Sequence, residues 1–169
     1  MSQQQPIIQW HIAGLHALRS ASEQGQEGAE AMVDKATSAD VREAVVAFGE
    51  LAAEHQDKIV GFLAEFDVEP NGFEDQIMKG VGKGRAEMID AAPDAVTRDL
   101  SLIAGNQSGI DYYRGAFRNQ GSVATKLGHA EQGASFTAME EAWDALGERY
   151  TTIGEDVRSE AAASVTKPA

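Results

Sequence analysis

The chain has no cysteine. That excludes disulfides, thiolate nucleophiles, Cys-ligated zinc and iron–sulfur clusters, and any metal would rest on carboxylate, imidazole or water. Basic residues are also scarce: 14 Lys and Arg stand against 27 Asp and Glu, for a net charge of −13. Nucleic acid is a poor partner for such a surface, because phosphate binding needs clustered Lys and Arg. Anionic membrane is disfavoured for the same reason. No apolar run approaches the length of a transmembrane span. The opening Met-Ser-Gln-Gln-Gln-Pro has neither a basic n-region nor an apolar h-region, so the expectation is a cytoplasmic, bacterial-type protein without a signal peptide.

At 169 residues the chain is large enough to bury a core as one domain, and its apolar content of 43% is ordinary for a globular protein. Its clearest pattern lies in residues 41–62. Val41, Val45, Phe48, Ala52, His55, Ile59 and Phe62 recur at alternating spacings of four and three, the stripe of one helix face. His55 is the one polar member.

Three further segments carry a helical period, and none alternates like a strand. The first spans about residues 6–36, with the stripe His11, Leu15, Leu18, Ser22, Gly25, Ala29, Met32, Ala36. A turn at Thr37-Ser38-Ala39-Asp40 follows, in which Ser38 is a good N-cap for the second helix. That helix runs to about Phe66 and stops at Asp67-Val68-Glu69-Pro70-Asn71-Gly72. Residues 73–93 form a connector of short, partly helical pieces broken at Gly80, Gly82 and Gly84. The third long helix starts near Pro93-Asp94 and ends near Leu127-Gly128. Its stripe is Val96, Leu100, Ile103, Gln107, Ile110, continued by Tyr113 and Phe117. The fourth spans about residues 131–157, with the stripe Phe136, Met139, Trp143, Leu146, Tyr150, Ile153, Val157. The domain is thus expected over residues 1–157, with a flexible tail at 158–169.

Short turns within each helix pair and a connector of about 25 residues between the pairs predict an all-α, ferritin-like four-helix bundle with a long, partly helical crossover between helices two and three. An up-and-down bundle with a decorated middle loop is the alternative.

Several short motifs resemble a known family. Ser22-Glu23-Gln24, the run from Asp34 to Glu43 around Thr37-Ser38-Ala39-Asp40, and Glu54-His55-Gln56 are similar to the opening hairpin of the YciE/YciF family of ferritin-like bacterial stress proteins. Gln107-Ser108-Gly109-Ile110-Asp111-Tyr112-Tyr113 resembles that family's third-helix motif, and Ala138-Met139-Glu140-Glu141-Ala142-Trp143 its fourth. The resemblance covers about residues 10–155. A related ferritin-like family without metal ligands fits the first hairpin nearly as well. The resemblance implies a homodimeric ferritin-like bundle, a stress association, and scope for a carboxylate-bridged di-iron centre, with iron or manganese as the metal. The chain departs from the family pattern where ligands would be wanted. Ile110 and Tyr113 stand where the third helix usually has Glu, the fourth-helix Glu is replaced near Trp143, and Leu51 occupies a position that can hold Glu.

Spacing tests the metal site independently. A di-iron bundle centre takes one Glu from each of two helices and Glu-x-x-His from each of the other two. No Glu-x-x-His occurs here; Ala52 precedes His55 by three residues. Glu54, its neighbour, points roughly a hundred degrees away around the helix. A hairpin pivoting near Thr37 sets Glu23 and His55 about 6 Å apart along the axis, and Asp111 and Glu140 could join them. The candidate metal set is therefore Glu23, Glu54, His55, Asp111 and Glu140. The competing reading makes His55 a hydrogen-bonded core residue, with Gln107 as its partner.

Other signals are weaker. Gly80-Val81-Gly82-Lys83-Gly84-Arg85 is not a phosphate loop, since residue 77 is Ile and residue 84 is Gly. Gly105 and Gly109 allow close helix approach. His11 and His16 are expected at the surface or the edge of the bundle. Trp10 is a candidate anchor either across a dimer interface or within the bundle. No nucleophile, base and orienting group share a credible spacing, so no catalytic residue is assigned. Three functions fit: a self-associating stress-associated protein with a degenerate metal centre and no turnover, a di-iron oxidoreductase-like protein handling iron, oxygen or peroxide, and a helical adaptor for an unidentified protein.

Overall fold

The computed structural model describes residues 4–165. It contains α1 (Gln4–Met32), a 3-10 turn (Val33–Lys35), α2 (Ala39–Ala64), α3 (Gln76–Ala91), α4 (Ala95–Lys126) and α5 (Ala130–Val165), with no strand among the described residues. α1 pairs with α2 and α4 with α5. The two hairpins pack together through α2 against α5 and α1 against α4, while α3 crosses between them over α4 and α1.

Local chemistry sets the boundaries. The 3-10 turn stops the first helix at Met32, short of Ala36. Ser38 stands at the N-cap of α2, but its side chain makes no capping bond. The cap comes from α4 instead. The buried Asp99 carboxylate accepts from the Thr37 amide (2.8 Å), the Thr37 hydroxyl (2.5 Å) and the Ser38 amide (2.8 Å), tying the first hairpin turn to the second hairpin. α2 closes at Asp67, whose φ of +55° lies in the left-handed region. Val68 N–H reaches back to the Leu63 carbonyl and Asp67 N–H to that of Ala64, the paired bonds of a Schellman end. α4 ends the same way on Gly128 at φ +91°.

The connector is more regular than its glycines suggest. Asp75 caps α3 by accepting from Met78 N–H at 2.7 Å, and the helix runs unbroken through Gly80, Gly82 and Gly84. Packing of Met78, Arg85 and Ile89 on one face offsets the propensity cost of about 1 kcal/mol per glycine. α5 continues past Val157 to Val165; the last residues of the expected tail, 166–169, lie outside the described residues.

The stripe over residues 41–62 is buried at every position, as is the stripe of α5. Trp143, Tyr113, Tyr150, Phe48, Phe117 and Phe136 are the largest fully buried side chains and form the centre of the core. α4 buries Ile103, Ile110, Tyr113 and Phe117 of the expected stripe, but its inward face is wider than that stripe. Val96 is exposed and Gln107 half-buried, whereas Asn106, Gly105 and Gly109 face inward. No helix among the described residues is long and apolar enough to cross a membrane.

Candidate functional site

α2 brings His55 into the bundle centre, where aromatic rings surround it. Phe117 of α4 packs edge-on at 5.5 Å and Trp143 of α5 at 5.9 Å. Trp143 in turn stacks on Tyr113 at 4.4 Å and meets Phe48 edge-on at 4.9 Å. The Tyr113 hydroxyl donates to the Ala21 carbonyl of α1 at 2.6 Å. Gly25, one turn on, leaves the space that this hydroxyl fills. Burial pushes the Tyr113 phenol well above its ordinary range.

The partner of His55 is Trp143, not Gln107. The indole Nε1–H donates to Nδ1 of His55 at 3.0 Å. Gln107 reaches Thr151 on the outer side of the α4–α5 hairpin. Burial, then the nearby Lys58 charge, lowers the His55 pKa from 6.5 to about 4, against a smaller opposing effect of Glu54. The ring is therefore neutral at pH 7. Because Nδ1 accepts, the ring proton sits on Nε2. One nitrogen has its lone pair engaged and the other carries a proton, so neither presents a free lone pair to a cation.

The four candidate carboxylates do not join His55. Glu23 pairs with Arg19 one turn back at 3.0 Å. Glu54 is exposed and pairs with Lys58 at 2.7 Å; this hydrogen bond holds its carboxyl below the usual range. Asp111 is exposed beside Arg114 at 3.0 Å, and Glu140 accepts from Arg118 Nε at 2.8 Å. Among the described residues no group of three or more His, Asp or Glu is arranged to hold a metal ion. The residues present thus do not fit the di-iron centre that the family resemblance implies.

Three polar residues are placed otherwise than the sequence led one to expect. His11 is fully buried, with Nδ1 2.6 Å from Gln120 Oε1 and Nε2 3.0 Å from Gln132 Oε1; Gln132 continues to Glu65 at 2.8 Å. His16 is buried as well, which lowers its pKa. Neither is a surface group. The third is Arg85, buried between α3 and α4, whose Nη1 donates to Asn106 Oδ1. Asn106 Nδ2 donates onward to the Tyr150 hydroxyl at 2.7 Å. The spacing of Met78, Arg85 and Ile89 carried the signal for Arg85 once the connector is treated as helix. Trp10, by contrast, is 47% exposed and does not pack within the bundle.

The family profile described as a domain of unknown function, DUF892, matches residues 8–160. The chain belongs to the DUF892 family. Two solved structures resemble it closely in fold. One is the Escherichia coli stress protein YciF, at TM-score 0.85 and 18% identity, covering 90% of this chain and 97% of that one. The other is YcfI, a putative structural protein from Rhodopseudomonas palustris, at TM-score 0.82 and 18% identity, covering 86% of this chain and 93% of that one. No curated protein matches the sequence. The DUF892 assignment agrees with the YciE/YciF-type motifs of the hairpins.

Proposed function

We propose that this DUF892 protein is a stress-associated ferritin-like four-helix bundle, with α3 as the crossover, that self-associates and has a degenerate metal centre without catalytic turnover. The observation that carries this reading is the Trp143–His55 hydrogen bond. It engages the one imidazole that faces the aromatic centre, and the surrounding space is occupied by Phe48, Tyr113 and Phe117 instead of carboxylates. The stress association is supported by the fold shared with YciF, and a structural role by the fold shared with YcfI. Self-association is supported by exposed Ile7 and Trp10, one turn apart on α1.

The test is elemental analysis of protein expressed with iron or manganese supplementation, alongside light scattering. The expected result is no stoichiometric metal and a mass above the monomer. Stoichiometric iron that disappears in Glu23→Ala and His55→Ala would overturn the degenerate centre and favour the oxidoreductase reading. A monomer at high protein concentration would overturn self-association.

A further inference from the structure

Arg85 is 7% exposed, yet among the described residues it has no carboxylate partner. Nη1 is taken by Asn106, a neutral group. Nε is buried with no partner, and Nη2 lies against the bare α-carbon of Gly28, where any side chain would overlap it. A guanidinium removed from water without a counter-ion is expensive, and structures retain one where an anion completes it. Its Nε–Nη2 edge offers two parallel donors, the geometry that carboxylates match.

Arg85 lines a groove of about 390 Å³ between α1, α3 and α4, within the size range of small-molecule sites. Gly25 and Gly28 from α1 and Gly105 and Gly109 from α4 line it, and their missing side chains make room for the Tyr113 hydroxyl, the Arg85 side chain and the Phe48 ring. Phe48 and Met78 supply apolar wall. Lys79 and Lys83 also line it, but they pair with Glu74 at 2.8 Å and Glu87 at 3.9 Å, which leaves Arg85 as its one cation without a carboxylate partner among the described residues. The helix terminus nearest to it is capped by the chain's own Asp75, so the groove has no array of free amides of the kind that phosphate favours.

We propose that this groove binds a small organic acid, with its carboxylate on the free edge of the Arg85 guanidinium and its apolar body against Phe48 and Met78. The inference does not rest on the function proposed above. The test is calorimetric titration of the full-length protein with hexanoate, with benzoate and, separately, with inorganic phosphate. Saturable binding of at least one carboxylate is expected, with phosphate at least tenfold weaker. Arg85→Met should abolish binding. Arg85→Lys, which keeps charge and loses the fork, should weaken it about tenfold. A side chain at Gly82 projects into open space, so Gly82→Leu should obstruct the groove with Arg85 intact and remove binding even if Arg85→Met does not fold. The proposal is overturned by no binding of either carboxylate at millimolar concentration, by equal binding of phosphate, or by affinity unchanged in both Arg85→Lys and Gly82→Leu.

Discussion

Trp143 of α5 donates its indole N–H to Nδ1 of His55 on α2, and this bond spans the two hairpins at the core. Each partner satisfies the other, since an indole can only donate and this imidazole nitrogen can only accept. Removing one leaves a buried polar atom unsatisfied. Trp143→Phe should therefore destabilise the protein by about 1–3 kcal/mol from the orphaned nitrogen, with a further loss from the smaller ring. Urea denaturation measures this. The double variant with His55→Leu should cost less than the sum of the singles, because the unpaired nitrogen is then absent.

The same bond makes stability depend on pH in a specific direction. Folding lowers the His55 pKa from 6.5 to about 4, chiefly by burial. Between those values the unfolded chain binds the proton and the folded chain does not, so stability rises with pH across the window. The contribution is complete above about pH 6.5 and is lost as pH falls towards 4. The shift corresponds to about 3 kcal/mol. In His55→Leu the fall in stability over this range should be shallower by up to that amount, as followed by urea denaturation at successive pH values. Carboxylates and His16 titrate in both proteins and cancel in the comparison. Equal slopes would show that His55 is not held neutral.

Much of this was legible in the sequence where burial and period agree. The stripe from Val41 to Phe62 and the stripe of α5 are buried throughout because apolar residues hold every position but one, and a helix aligns them. Reasoning by period failed where the inward residues are polar. On α4 it chose Val96 and Gln107 and missed Asn106, whereas Gly105 and Gly109, read as points of close helix approach, do lie beneath the Arg85 stem and the Phe48 ring. His11 heads the inward stripe of α1, yet it was expected at the surface or the edge because a polar side chain was weighed without its distant partners Gln120 and Gln132. The candidate metal residues are spread over four helices, and cations claim the four carboxylates. Three of these pairs follow the i,i+3 and i,i+4 helix spacing and could have been read from the sequence, whereas Arg118–Glu140 joins two helices and could not.

Asp99 is another residue whose role depends on distant chain. It accepts three hydrogen bonds from Thr37 and Ser38 and so replaces the cap that Ser38 does not make. Asp99→Ala should destabilise the fold by about 2–4 kcal/mol, since two amides at the start of α2 lose their acceptor in a buried site. Ser38→Ala should cost less than about 0.5 kcal/mol, because its hydroxyl makes no cap. Thermal denaturation of the two variants distinguishes this arrangement from an ordinary serine cap, which predicts the opposite order.

Two glycines of α4 should respond to alanine with opposite signs. At Gly115 a new methyl group meets nothing within 4 Å, so Gly115→Ala gains helix propensity alone and should stabilise by up to about 1 kcal/mol. At Gly105 the methyl would overlap the aliphatic stem of Arg85, which is held at its far end by Asn106. Overpacking of that kind costs about 1–3 kcal/mol, more than the propensity gain. Gly105→Ala should therefore lower the melting temperature while Gly115→Ala raises it. If Gly105→Ala proves neutral, Arg85 moves freely out of the groove, and the tight packing of its stem against α4 is wrong.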